Sequence, residues 1–381
     1  MQMSKALFFL SFCILTISCR NTKLTNIHVD KEFSRKVNNY FYSVDKQLFV
    51  NEILSQDSLS DLNNFLDFFS RIEQEPIIPD SLFLSVQDSS YYYLINSIVL
   101  FDKDTLESKK NILKSIALNS DNFFGKLWLC NYFKNNENNT KECLNCYKKI
   151  LLNYNDIALG HYYFVDYLIL TNRFQEAMEH LKNTMPKFEQ SYLFYNQKSF
   201  IEVKQGDLQN AIESINKALV ISYNLESLKL LGAIYLFEIK NNKLALETLK
   251  KGLALSNTDS ELLNMLAEVY WFENEYDSSV YYFNETLKNI KDQKEFQNVF
   301  ADYLDFILLE KGKEELLEVL TNAKFEFSID EVSIIYYIIV DLKFNNNLEN
   351  ANNLFIIYEK NYPDNVKWAK ERIFNWYQSE W

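Results

Sequence analysis

The feature that most constrains the fold is a pattern that recurs every 34 residues. A small residue is followed four places later by a bulky apolar one, and the interval stays constant over successive copies. Self-similarity at such a period is the signature of a stack of equivalent helical or mixed units, each burying its apolar face against its neighbours. The copies are Cys143 with Tyr147, Ala177 with Leu181, Ala211 with Ile215, Ala245 with Leu249, and Ser279 with Phe283.

Composition restricts those units to helices. The chain has only 6 Gly and 4 Pro in 381 residues, which argues against turn-rich sandwiches and barrels. Hydrophobic residues make up 48%, enough for an extended core. The net charge of −13 would repel phosphates, so we expect no nucleic-acid partner.

Several local motifs resemble the tetratricopeptide repeat (TPR) family. The segment 230–235 resembles the signature of its first helix, and 172–174 and 206–208 resemble its turn between helices. Pro363 stands where that family often ends a second helix. The resemblance spans about residues 90–363 and implies an all-α fold, an α-solenoid of antiparallel helix pairs.

The repeat also sets the expected domain boundaries. We predict a signal segment at 1–19, a tether and helical cap at 20–90, the repeat array at 91–363 and a capping helix at 364–381. The frame continues more weakly outside the best copies, with Ser108 and Ile112 before it and Ala351 and Phe355 after it.

Two units depart from the pattern. Lys198 and Glu202 occupy first-helix positions that are normally apolar, which predicts shifted or looser packing around Ala211. Leu316 replaces the small residue in the unit at about 294–326, which predicts a kink or a wider spacing between its helices.

The N-terminus has the layout of an export signal. Lys5 precedes an apolar run over 6–17 that is too short to span a bilayer, and Cys19 follows a small residue. This resembles the lipobox of bacterial lipoproteins, although Thr16 stands where the family usually has Leu. We expect lipidation at Cys19 and an envelope location, outer membrane or periplasm, with ordinary secretion and a retained helix as alternatives.

Three short triplets allow two interpretations. Three Asp-Ser/Thr-Leu triplets, beginning at Asp57, Asp80 and Asp104, resemble the O-glycan acceptor motif of exported Bacteroidetes proteins. The same triplets also suit helix N-caps.

The cysteines allow three interpretations. Cys143 and Cys146 are small core residues of a predicted helix, or Cys130 and Cys143 form a disulfide across a helix pair in an oxidising compartment, or the thiols have a redox or metal role.

No catalytic or cofactor motif is recognisable. None of the three histidines stands at metal-ligand spacing, and His161 occupies a position where the TPR family commonly has a packed Trp. We therefore expect no enzyme activity, no cofactor and no metal.

The TPR resemblance implies that first helices line a partner-binding groove. Its mixed aromatic, amide and charged character suits an extended peptide or a helix of a protein partner. The leading hypothesis is a membrane-anchored, non-catalytic scaffold in the envelope, and the alternative is a glycan- or nutrient-capturing lipoprotein. The predicted groove residues are Tyr162, Asp166, Asn196, Phe200, Lys229, Leu236, Asn264, Glu268 and Trp271.

Overall fold

The computed structural model describes residues 89–100, 104–136, 140–322, 325 and 327–377, and these form helices without strands. Seventeen α-helices follow one another as eight antiparallel pairs and a last single helix. In chain order they are α1 Ser89–Leu100, α2 Thr105–Leu118, α3 Phe123–Asn136, α4 Thr140–Asn153, α5 Ala158–Leu170, α6 Phe174–Thr184, α7 Tyr192–Lys204, α8 Leu208–Ile221, α9 Leu225–Ala233, α10 Asn242–Leu253, α11 Ser260–Phe272, α12 Tyr276–Asn289, α13 Gln293–Glu310, α14 Lys313–Asn322, α15 Asp330–Val340, α16 Leu348–Asn361 and α17 Val366–Tyr377.

The chain divides into two compact units at the boundary between Ser227 and Leu228. Unit 1 holds α1 to α8 around a core that runs from Tyr91 to Ile201, and unit 2 holds α10 to α17 around a core from Ala267 to Ile373. The all-α prediction is confirmed, whereas the predicted domain boundaries stay predictions.

The 34-residue pattern marks the inner side of every second helix of a pair. The small residue and its bulky partner are both buried in each of the five best copies. Where the small residue has a polar atom, it donates to a first-helix carbonyl: Ser108 Oγ to Ser97 at 2.7 Å, and Ser279 Oγ to Ala267 at 2.9 Å. Small side chains therefore let the two helices approach and also join them.

The turns inside six pairs share one backbone device. A residue with positive φ closes the first helix, and the next N–H often reaches back five residues, as Arg173 does to the Leu168 carbonyl at 2.8 Å. This is the Schellman ending of a helix, which satisfies terminal carbonyls. The residues with positive φ are Asn172, Gly206, Lys240, Asn274, Gly312 and Asn346.

The two expected distortions take a different form in the structure. Around Ala211 the register is kept, because Lys198 and Glu202 pair at 2.6 Å and both bind Ser214 Oγ, at 2.9 and 2.7 Å. In the later unit, α13 is one continuous helix of 18 residues and Leu316 is fully buried. The expected kink is therefore absent from α13, and the alternative, a wider spacing between the helices of this pair, stays a prediction.

The last described helix is held by a buried cation. Arg372 on α17 pairs with Asp302 at 2.8 Å and with Asp305 at 2.5 Å, both on α13, and its Nε donates to Tyr336 Oη at 3.0 Å. Trp376 Nε1 also donates to Asp305 at 2.7 Å. These contacts fix the position of the predicted capping helix against α13 and α15.

The N-terminal predictions lie outside the described residues. They include the signal segment, Cys19, most of the 20–90 cap, and the triplets at Asp57 and Asp80. The third triplet is described: Asp104 caps α2, since its carboxylate accepts from Glu107 N at 3.0 Å. Within the described ranges, no helix has both the length and the apolarity to cross a membrane.

Candidate functional site

In unit 1 the predicted groove residues lie on α5 and α7. Asp166 pairs with Lys134 Nζ at 3.1 Å, and burial raises the pKa of Asp166 while Lys134 opposes that rise. Asn196 Oδ1 accepts from Ser227 Oγ at 2.9 Å, and Lys204 lies 5.3 Å from the Phe200 ring centroid. These side chains are partly exposed and held in place by neighbours. They form a pre-ordered surface of mixed character.

The neighbouring Tyr162 is also partly buried. Gln197 Nε2 donates to the Tyr162 carbonyl at 3.0 Å, so α5 and α7 are joined beside this surface. The buried Gln197 Oε1 has no hydrogen-bond partner in the structure. Sequence reasoning did not single out Gln197, because nothing in the repeat marks it.

In unit 2 the predicted residues lie on α9 and α11. Asn264 Nδ2 donates to Glu268 at 3.1 Å, and Trp271 Nε1 donates to Glu310 at 2.9 Å. Lys229 is buried and pairs with Asp259 at 3.3 Å and Glu261 at 2.8 Å, so its charge is already neutralised.

Leu236 does not contribute to the predicted surface. It is 2% exposed and belongs to the π-helical turn Ile234–Glu238, four residues before the turn residue Lys240. The residues at the same place in other pairs, Leu168 and Leu308, are buried too. The sequence assignment of Leu236 was out of register with the remaining groove positions.

Without the buried Lys229 and Leu236, we call the remaining positions of each unit its first-helix surface; the members are Tyr162, Asp166, Asn196 and Phe200 in unit 1, and Asn264, Glu268 and Trp271 in unit 2. Whether it binds partners stays a prediction.

The disulfide differs from the predicted pairing. Cys130 is joined to Cys146, with Cα atoms 5.4 Å apart, and Cys143 is a free, buried thiol. Cys143 occupies the small position of the repeat, so its Sγ faces the α3 backbone, 3.5 Å from the Cys130 carbonyl. Cys146 lies one turn further along α4 and meets the Cys130 side chain instead. Burial raises the pKa of Cys143 to about 12, so this thiol is not a nucleophile at neutral pH.

Two histidines, the buried His161 and the half-buried His180, form a pair that the sequence did not reveal. His161 Nε2 donates to the Asn155 carbonyl at 3.0 Å, which leaves His161 Nδ1 to accept from His180 Nε2 at 3.0 Å. Their rings stack with centroids 5.1 Å apart. Burial lowers the pKa of both, that of His180 to about 4. The two residues are 19 apart on separate helices, so no sequence spacing indicates the pair.

Nothing in this arrangement forms a metal centre. Across the described residues, no group of three or more His, Cys, Asp or Glu side chains is placed to hold a metal ion.

Comparison with solved structures identifies the fold. The structure of yeast Tom70 matches with a TM-score of 0.56 and 12% identity, covering 84% of this chain and 75% of that one. The APC/C hetero-tetramer Cut9-Hcn1 matches with a TM-score of 0.50 and 16% identity, covering 88% of this chain and 68% of that one. No protein-family model and no curated protein matches the sequence. Both structural relatives are TPR proteins, and the chain shares their fold, an all-α solenoid of TPR-like helix pairs.

Proposed function

We propose that the protein is a non-catalytic scaffold that binds protein or peptide partners through its first-helix surface and is anchored to a membrane of the bacterial cell envelope by a lipid on Cys19. The observation that carries the binding role is the first-helix surface itself. Aromatic rings, amides and carboxylates remain partly exposed there. The constant interval of buried small residues lies on the second helices instead, so it does not restrict these side chains. An extended peptide or partner helix requires such a combination of apolar anchors and polar groups.

The fold supports the same role. Helix pairs stacked side by side give a large surface whose side chains vary while the buried pattern stays fixed. Here the surface differs between units. In unit 1 Phe200 lies beside the cation of Lys204, whereas in unit 2 Glu268 accepts from Asn264 and Trp271 donates to Glu310. Two units with different chemistry suit a scaffold that holds more than one partner segment.

Photo-crosslinking in the source cell tests the binding role. A photoreactive phenylalanine analogue is placed at Phe200 or Glu268, and at Val220 as a control, because Val220 is 87% exposed on the second helix α8. We expect discrete crosslinked proteins from the first two positions and none from Val220. Crosslinks of equal yield from all three positions would contradict a dedicated surface. Recovery of polysaccharide instead of protein would favour the nutrient-capture alternative.

The anchor has its own test. Export and lipidation are supported by the apolar run before Cys19 and by a disulfide, which persists in oxidising compartments. Metabolic labelling with a fatty-acid analogue should mark the wild-type chain and should leave Cys19→Ser unlabelled and released from the membrane fraction. An unlabelled wild-type chain would remove the anchor from the proposal while the binding role stood.

A further inference from the structure

Three large apolar side chains are exposed along one edge of unit 2. Phe272, Leu309 and Phe344 are 49%, 58% and 44% exposed. Each stands two or three residues before the positive-φ residue that closes a first helix, in three consecutive pairs. We call these three residues the apolar edge. Large apolar side chains that are exposed near the same end of consecutive first helices are typical of a binding surface, whereas single scattered ones need no explanation.

Neighbouring contacts hold this edge in place. Trp271 Nε1 donates to Glu310 at 2.9 Å and thereby joins the ends of α11 and α13. Lys343 Nζ lies 4.3 Å from the Trp376 ring centroid, and Trp376 in turn donates to Asp305 on α13. The edge residues therefore stand on fixed helix ends, which lowers the entropy lost when a partner binds.

The spacing of the edge suits a helix. Packed helices lie about 8–10 Å apart, so side chains near the ends of consecutive first helices are separated by about that distance. Along a helix, positions seven residues apart lie on nearly the same face and are about 10 Å apart at 1.5 Å per residue. Three apolar side chains at seven-residue intervals on a partner helix would each meet one member of the edge.

The charges around the edge determine which net charge the partner should carry. Exposed carboxylates outnumber exposed or half-buried ammonium groups in these turns, which disfavours an anionic membrane surface. The carboxylates are Glu273, Glu275, Asp277, Glu310, Glu314, Glu315 and Glu349, and the ammonium groups are Lys311, Lys313 and Lys343.

We propose that the apolar edge binds a basic amphipathic helix of a partner protein, with apolar residues at seven-residue intervals flanked by Lys or Arg. The inference rests on the proposed scaffold function and specifies a second surface, which adjoins the first-helix surface where Phe272 stacks on Trp271, together with the chemistry of its partner.

A synthetic peptide tests the edge directly. The probe is a fluorescein-labelled helical peptide with Leu at three positions seven residues apart and Lys beside each, titrated with the mature wild-type chain in an anisotropy assay. The triple variant Phe272→Ser, Leu309→Ser and Phe344→Ser should bind at least about 10-fold more weakly, because apolar anchors dominate such contacts. A peptide with Glu in place of Lys should not bind, and added salt should weaken binding of the Lys peptide.

A matched control separates the edge from general stickiness. The variant Leu152→Ser, Val220→Ser and Ile356→Ser removes three other exposed apolar side chains and should bind the peptide like the wild type. Circular dichroism checks that both variants keep their helix content. Absence of wild-type binding, or equal binding by the edge variant, would overturn the inference. Crosslinks from Phe200 in unit 1 that persist in the edge variant would show that the scaffold function stands without it.

Discussion

Acidification should loosen the α5/α6 pair, because His161 and His180 are held neutral there. His180 has an ordinary pKa of 6.5 in the unfolded chain and a pKa of about 4 in the folded one. The unfolded state therefore binds more protons between these values, and stability falls as the pH falls from above 6.5 toward 4. Linkage gives a loss of about 2 kcal/mol between pH 8 and pH 5, and about 3 kcal/mol by pH 4.

The surrounding charges modify this value without changing its sign. Burial also lowers the pKa of His161, with Lys187 acting in the same direction, while the Asn155 carbonyl and Asp156 oppose it. Because His180 is partly exposed, the losses of about 2 kcal/mol at pH 5 and about 3 kcal/mol at pH 4 are upper values for that residue alone. If His161 takes a proton on Nδ1, two N–H groups face each other, so the hydrogen bond between the rings is lost.

Urea unfolding at fixed ionic strength, at pH 8 and pH 5, measures the effect in the wild type, in His180→Gln and in the exposed control Glu179→Gln. Hydrogen exchange of α5 and α6 amides, corrected for intrinsic rates, localises it because a repeat protein need not unfold in two states. The wild type and Glu179→Gln should lose stability at pH 5, and His180→Gln should lose much less. Identical pH profiles for all three chains would refute the reasoning.

Four further predictions concern packing and pairing. Gly232→Ala should lower stability by about 1–2 kcal/mol, because its Cβ would lie 2.5 Å from Leu249 Cδ2, whereas Gly160→Ala, whose Cβ meets neighbours at 3.5 Å, should leave the melting temperature unchanged or higher. Ala211→Tyr or Ala245→Tyr should cost about 1–3 kcal/mol in thermal unfolding, and an unchanged melting temperature would count against the repeat assignment. Arg372→Met should cost about 3–5 kcal/mol and expose α17 to proteolysis, because Asp302 and Asp305 lose their buried cation; Lys367→Met, on the exposed side of α17, is the control. Thiol titration of the unfolded, unreduced mature chain should find one free thiol apart from Cys19, and three free thiols would rule out the Cys130–Cys146 bond. Reduction of that bond should lower the free energy of unfolding by about 3 kcal/mol.

The repeat could be predicted because its signal is local and periodic. Ala177, Ala211 and Ala245 are buried against the first helix of their own pair, which a short loop joins to the second helix. The need for a small side chain therefore recurs at the same interval and leaves a visible pattern. The turn residues were only partly predictable. Gly206 and Asn172 are residue types that tolerate positive φ, whereas Lys240 is not, and its turn follows a π-helical segment.

Contacts between distant residues left no such pattern. Arg372 and its partner Asp302 are 70 positions apart, and no sequence pattern links the two segments. The Leu236 assignment failed for a related reason: a π turn adds a residue, so a position counted from the helix start no longer matches one counted from its end. The choice of Cys146 over Cys143 depended on side-chain direction within one helical turn, which the sequence spacing alone did not resolve.

Arg372 also changes how unit 2 should respond to stress. In a simple stack each helix pair touches only its neighbours, so stability is shared pair by pair and terminal helices fray first. Here the Arg372 guanidinium on α17 binds Asp302 on α13 and also donates to the Tyr336 hydroxyl on α15. One buried group therefore joins three helices. Opening α17 would leave two half-buried carboxylates, Asp302 and Asp305, without their cation. The helices from α13 to α17 should therefore open together. This cooperativity keeps Leu309, near the end of α13, and Phe344, in the π-helical turn Asp341–Asn345 after α15, fixed for a partner.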